Sequence, residues 1–149
     1  MMGVVKGIYI ADAEGAPVRP VAEIRAVAGV GLEGDRNFRE NAESGTQATF
    51  IEQEAVEALR RDFEIDLAPG AHRRNIVTQG APLNHLIGKR FRVGEAEFVG
   101  IRLCEPCAYL ESMTQPGIVK GLVHRGGLRA DILRSGAIRP GDELTVLEE

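Results

Sequence analysis

Short apolar runs separated by glycines and polar turns set the pattern of the chain. Val4-Val5-Lys6-Gly7-Ile8-Tyr9-Ile10 is rich in β-branched residues and stops at a polar turn over 12–17, which predicts a strand. A second strand is predicted over 21–30. Its Ala22, Ile24, Ala26 and Ala28 form the core face, and Val21, Glu23, Arg25 and Val27 form a mixed one. No period survives between 29 and 45, a polar stretch of the length that compact domains use for functional or mobile loops. Residues 46–51 predict a further short strand. In Gln53–Phe63, Ala55, Val56, Leu59 and Phe63 recur at helical spacing with charges opposite, the one clear helix in the chain.

After the Ala68-Pro69-Gly70 break, Asn75-Ile76-Val77-Thr78 reads as a strand led in by Arg73 and Arg74. Residues 83–87 predict a single helical turn before Gly88. Segments 90–93 and 96–103 form a predicted hairpin around Gly94-Glu95. A short helix is expected within 104–113. Segments 128–133 and 143–147 read as closing strands around Gly136 and the Pro140-Gly141-Asp142 turn. Six to eight short strands with little helix predict a mostly β fold, a closed or half-closed barrel with a few short helices.

Composition narrows this reading. A length of 149 residues suits one domain over 1–149. The 18 glycines, without a fixed period, exclude a collagen-like chain and agree with many turns between short strands. With 18 basic and 22 acidic side chains the net charge is −4, which argues against a nucleic-acid or anionic-membrane surface. No apolar run reaches the ~18–20 residues of a membrane span. The start of the chain has no signal-peptide pattern. With two cysteines and no export signal, free thiols and a cytoplasmic location are expected.

The first candidate for chemistry is Cys104-Glu105-Pro106-Cys107, at the end of a predicted strand. A thiol becomes reactive when its pKa falls, as it does near a helix start or beside Arg or Lys. Pro106 suits the first turn of a helix through 108–111, which would set Cys107 near free backbone N–H groups, and Arg102 is close in sequence. The plain alternative is two inert, packed cysteines in a non-catalytic binding barrel. A structural zinc site needs four ligands, and His72, His85 and His124 are scattered. A redox dithiol belongs at a strand-to-helix junction of a βαβ fold, which this pattern does not supply.

Gly31-Leu32-Glu33-Gly34-Asp35-Arg36-Asn37 lacks the Lys-Ser/Thr ending of a phosphate loop. Its glycines beside Asp35 and Arg36 nevertheless suit an anionic ligand, against the alternative of a solvated turn. Arg73-Arg74-Asn75 and His124-Arg125-Gly126-Gly127-Leu128-Arg129 add two further arginine-bearing segments, and arginine favours bidentate phosphate or carboxylate contacts. The residues alone therefore point to an anion pocket with an activated thiol.

In order along the chain, these segments resemble the MOSC family, named for the C-terminal domain of molybdenum cofactor sulfurase. The resemblance runs through Gly31-Leu32-Glu33-Gly34-Asp35-Arg36, Arg73-Arg74-Asn75-Ile76-Val77 with Gly80, and Leu86-Ile87-Gly88-Lys89-Arg90-Phe91. It continues through Cys104-Glu105-Pro106-Cys107, Gly127-Leu128-Arg129-Ala130 and Gly136-Ala137-Ile138-Arg139-Pro140-Gly141-Asp142. It implies a distorted β-barrel and an association with molybdenum cofactor (Mo-molybdopterin): binding it, carrying sulfur to it, or using it to reduce N-hydroxylated compounds. The family's characteristic cysteine matches Cys107, which the resemblance makes a molybdenum ligand or a persulfide carrier, with Cys104 as a resolving thiol. It makes Arg36, Arg73, Arg74 and Arg129 candidates for holding the pterin phosphate, Asn75 a hydrogen-bonding partner, and Asp35 a group that orients an arginine or touches the pterin. Sulfurases carry a separate pyridoxal-phosphate domain, for which this sequence leaves no room. Desulfuration by this chain alone is therefore not expected, and a cysteine desulfurase or an external electron-donor protein becomes the expected partner.

Overall fold

The computed structural model describes residues 2–147. Seven strands close into a barrel. They are β1 (Met2–Ala11), β5 (Ala48–Glu52), β6 (Ile76–Gln79), β7 (Arg90–Val93), β8 (Ala96–Leu103), β9 (Leu128–Arg134) and β11 (Glu143–Val146), in the spatial order β11-β7-β8-β9-β5-β6-β1. The ring shuts where β1 pairs with β11, Gly3 opposite Leu144. Three shorter strands, β3 (Ile24–Val27), β4 (Gly31–Leu32) and β10 (Gly136–Ile138), form a separate small sheet, and β2 (Val18–Pro20) extends the far end of β1.

All barrel pairs are antiparallel except β5 with β6. A parallel pair cannot be joined by a tight turn and needs a crossover. Helix α1 (Gln53–Phe63) supplies it. It lays Ala55, Ala58 and Leu59 against the outside of the barrel, where Ile51, Val77, Leu110, Ile118 and Leu122 complete a second apolar cluster. The last three come from two short helices, α2 (Ala108–Met113) and α3 (Ile118–Leu122).

Inside, alternation along the strands does the sorting. Phe50, Phe91 and Phe98 are fully buried and meet with ring centroids 5.2–5.6 Å apart, Phe50 edge-on to the other two. Aromatic pairs in these arrangements add about 0.5–1.5 kcal/mol beyond area burial, so this triad anchors the barrel's centre. The β7–β8 hairpin turns at Gly94-Glu95 with Gly94 at φ +56°, as a two-residue loop demands. Register shifts at Val5/Gly7, Glu97/Phe98 and Gly100/Arg102 distort the barrel. At Gly100 an added Cβ would overlap the Leu86 carbonyl, so only glycine admits the segment that packs there.

Several expectations are corrected. The strand predicted over 21–30 survives only as β3. Ile24 and Ala26 are buried as expected, but Ala22 and Ala28 are exposed: Ala22 precedes the strand, and after Val27 the chain turns away through Gly29, φ +75°. The aperiodic stretch contains β4, paired to β3. Phe63 ends 39% exposed rather than in the core. Pro106 does not open α2: Cys107 is the residue that caps it, and Pro106 lies one position before.

Candidate functional site

At one end of the barrel the N-terminal ends of the parallel pair β5 and β6 meet the C-terminal ends of β1 and β8. The loop after β4 and helix α2 wall the space above them. The result is an open hollow of about 780 Å³, counting the part that merges with solvent. Asp35, Arg36, Arg73, Arg74, Asn75, Cys104, Cys107 and Arg129 all line it. Residues up to 94 positions apart in sequence thus converge, although Arg102, His124 and Arg125 do not join them. The latter two line a small separate recess with Glu52, Asn84 and Gly127.

The two thiols differ. Cys104 is 4% exposed, its N–H donating to the Gly127 carbonyl and its own carbonyl accepting from Arg74. Cys107 is exposed at the head of α2. The segment between them is held from outside: both the backbone N–H and Nδ1 of His124 contact the Glu105 carboxylate, at 2.7 and 2.8 Å. Partial burial raises the Glu105 pKa, but these His124 contacts outweigh it and hold the carboxyl below its ordinary value. Among the described residues no three His, Cys, Asp or Glu side chains gather as a structural zinc ion would require. The zinc alternative therefore finds no ligand set there, and the alternative of two core cysteines fails at Cys107.

Arg74 is the strut of the site. Its Nε donates to the Gly126 carbonyl at 2.6 Å, Nη1 to the His72 carbonyl at 3.0 Å and Nη2 to the Cys104 carbonyl at 2.8 Å. Gly126 has no Cβ, and adding one would overlap the Cys104 carbonyl and press on the guanidinium. Burial pushes the Arg74 pKa down, yet an arginine stays charged in proteins. The floor of the hollow thus carries a buried cation, balanced by carbonyl dipoles rather than a carboxylate. His72, 3% exposed, accepts the Arg74 backbone N–H at Nδ1, and desolvation followed by the Arg74 charge lowers its pKa to about 4. It is neutral at pH 7.

The remaining cations are freer. Arg73 holds a left-handed backbone, φ +64°, a conformation that costs a non-glycine residue about 1–2 kcal/mol. Such strain persists where the surroundings over-determine it, commonly at functional sites. Arg129 lies directly across from Thr49 in the β5–β9 ladder, so both project to the hollow side; its Nη1 reaches the Gly45 carbonyl at 3.3 Å. Arg36 approaches Glu14 at 3.9 Å in solvent. Among the described residues Arg73, Arg74 and Arg129 make no ion pair with a carboxylate. Four arginines against Asp35 and Glu105 make this hollow cationic in a chain of net charge −4.

A MOSC domain family model matches residues 36–145, three quarters of the chain and every lining arginine, both cysteines and Asn75. The chain belongs to the MOSC domain family. The MOSC barrel is similar to three solved structures. The YuaD protein from Bacillus subtilis superposes with a TM-score of 0.85 at 20% identity, covering 98% of this chain and 96% of that one. YiiM from Geobacillus stearothermophilus gives 0.76 at 16% identity, over 98% and 75% of the two chains. YiiM from Escherichia coli gives 0.74 at 22% identity, over 100% and 71%. No curated protein matches the chain. No helix among the described residues is long and apolar enough to cross a membrane.

Two predicted ligand-facing groups are engaged elsewhere in this MOSC chain. Among the described residues Asp35 meets no arginine; its Oδ1 accepts from Ala11 N–H and its Oδ2 from Asn37 N–H, pinning the 33–37 loop to the end of β1. Asn75 uses Oδ1 on the Thr49 N–H and hydroxyl and Nδ2 on the Tyr9 carbonyl, tying β1, β5 and β6 together. Tyr9, Asn37, Thr49, Tyr109 and Met113 also line the hollow. Sequence reasoning missed them. Thr49 is brought there by the parallel pairing, which leaves no local mark, while Tyr109 and Met113 carry one: they stand four apart, at helical spacing, just after Cys107.

Proposed function

We propose that this MOSC domain binds molybdenum cofactor in the barrel-end hollow, with the Cys107 thiolate placed to ligate the metal, in the service of reducing N-hydroxylated compounds. One observation carries the reading: an exposed thiol and four arginines from three separate segments line one open hollow in a chain of the family associated with this cofactor.

The residues fit the group. A soft thiolate suits a molybdenum centre, and cations without carboxylate partners suit a pterin phosphate. Arg73 and Arg129, with no ion pair among the described residues, would hold that phosphate, with Arg36 at the rim. Arg74, fully committed to carbonyls, would contribute its field rather than a contact. Asp35 and Asn75 act as positioning residues that fix the loop and strand ends on which the arginines stand. When bound, the cofactor supplies the two-electron redox chemistry. Electrons would come from an external donor protein.

Sulfur carriage through a persulfide on Cys107 is the competing activity. Cys104 counts against it. A resolving thiol must be reached by the sulfur it resolves, and Cys104 is buried with its backbone tied at both polar atoms. The test is expression in a host that makes molybdenum cofactor, followed by assay of bound pterin in the wild type and in Cys107→Ala. Pterin in the wild type and its loss in the variant are expected. Equal pterin in both removes the ligand role, and a stable adduct of one sulfur mass on Cys107 without pterin would favour the carrier.

A further inference from the structure

A second cleft lies on the outer wall of the barrel, between α1, β1 and the 66–72 segment that leads toward β6. Counting the part open to solvent it takes in about 750 Å³, and Tyr9 is the one lining residue it shares with the hollow. Neither cysteine and none of the arginines of the barrel end line it. A β-bulge shapes its β1 side. Val5 and Ile8 both sit in the barrel core although three apart, and the β1–β6 register slips between Val5 and Gly7. Bulges re-aim side chains in this way, and here Lys6 and Gly7 both line the outer cleft. Gly7 leaves room for the Tyr9 ring, 3.1 Å from where its Cβ would stand. Across from them Gln53, Val56, Glu57 and Arg60 follow one another at helical spacing on α1. Tyr9, Val56 and Leu67 are half-buried and rest on the second apolar cluster, which gives the cleft an apolar floor.

His72 closes the inner end. Its ring is neutral at pH 7 and Nδ1 accepts the Arg74 N–H, which leaves the ring proton on Nε2. Nε2 has no partner among the described residues, yet it is not sealed from solvent as the unpartnered Glu54 Oε1 and Thr78 Oγ1 are. His72 lines this cleft and not the hollow. The inner end is therefore a donor whose tautomer the backbone fixes, and a molecule that fills the cleft must bring an acceptor to it. Lys6, Arg60, Glu57 and Asp66 are exposed around it, and among the described residues none of the four forms an ion pair.

We propose that this cleft binds a small monocarboxylate with an apolar body, one carboxylate oxygen on His72 Nε2–H and Lys6 as the counter-charge. A bare inorganic anion would leave the apolar floor unused. A second negative charge would meet Glu57 and Asp66, and a cation would leave the His72 donor unmet. The site is independent of what the hollow holds.

Proton–nitrogen correlation NMR of the whole chain tests this with benzoate as the probe. Millimolar benzoate should shift the amides of Lys6 and the 66–72 segment in a saturable way and move the His72 Nε2–H resonance. Benzamide, benzylamine and inorganic phosphate should each bind at least about fivefold more weakly. An exposed counter-charge is worth up to about fivefold in affinity, and a hydrogen bond to a charged group about tenfold or more. Lys6→Met, at an exposed position, should therefore weaken benzoate by about two- to fivefold. His72→Asn, whose carbonyl still accepts the Arg74 N–H, should weaken it by about tenfold or more. Absence of a saturable shift, shifts confined to Cys107 and Arg129 in the hollow, equal binding of any of the three control probes, or an affinity untouched by both substitutions each overturn the proposal. None of these results bears on pterin binding at Cys107, so the two readings fail separately.

Discussion

Acidification offers a direct probe of the floor of the hollow. His72 is buried, neutral, and accepts the Arg74 backbone N–H; its pKa is about 4 against the usual 6.5. Between these values the unfolded chain binds a proton that the folded chain does not, so stability falls as pH drops below about 6.5 and levels off below about 4. The two values lie about 2.5 pH units apart, and at about 1.4 kcal/mol per unit the loss is roughly 3 kcal/mol. Against a typical total of about 5–15 kcal/mol this is large. Glu52 works in the opposite sense. Burial raises its pKa above 4.5, so protonating it on the way down relieves the fold.

A variant isolates the histidine from such background. His72→Asn keeps an acceptor for the Arg74 N–H and does not titrate. Urea unfolding of wild type and variant at pH 7, 6, 5 and 4 should show the wild type losing roughly 3 kcal/mol more than the variant between pH 7 and 4, with most of the difference accruing below pH 6.5. Parallel loss in both proteins would refute the reasoning, as would an NMR titration that places the His72 midpoint near 6.5.

Three further outcomes follow from the same site. Thiol titration in native buffer should count one reactive cysteine per chain, mapped to Cys107, with Cys104 reacting only after unfolding; two native thiols would contradict the burial of Cys104. Arg74→Met strands three buried carbonyls, at about 1 kcal/mol or more each, so urea midpoints should reveal a loss of roughly 3 kcal/mol, and a loss under 1 kcal/mol would deny Arg74 its role as strut. Arg73→Gly relieves the left-handed strain and should raise stability by about 0.5–1 kcal/mol while lowering pterin retention in a cofactor-producing host; unchanged retention would remove Arg73 from the phosphate site.

The barrel was legible because alternation is local. Strands β1, β6, β7, β8, β9 and β11, the Gly94-Glu95 turn and α1 each carry their pattern within a dozen residues. Strand β4 was not legible: Gly31–Leu32 pairs only because β3 lies beside it, and two residues hold no period. Nor was the parallel β5–β6 pairing, since no residue in either strand says which neighbour it will take. The site shows the same division. Residue type pointed to the cysteines and arginines, but the work of Asp35 and Asn75 depends on hydrogen bonds to Ala11 and Thr49, 24 and 26 residues away. Their polar groups proved to be internal fastenings, which composition cannot tell from ligand contacts.

That fastening explains how a chain with excess acid sustains a cationic hollow. Most acidic side chains are solvated, where water of high dielectric screens them. The arginines of the hollow are held by backbone instead. Arg74 is fixed through three carbonyls, Arg129 reaches a fourth, and Arg73 is aimed by its own strained φ. Carbonyl dipoles steady a guanidinium without cancelling its charge, as a carboxylate would. The positive potential is therefore left for an incoming anion to neutralise.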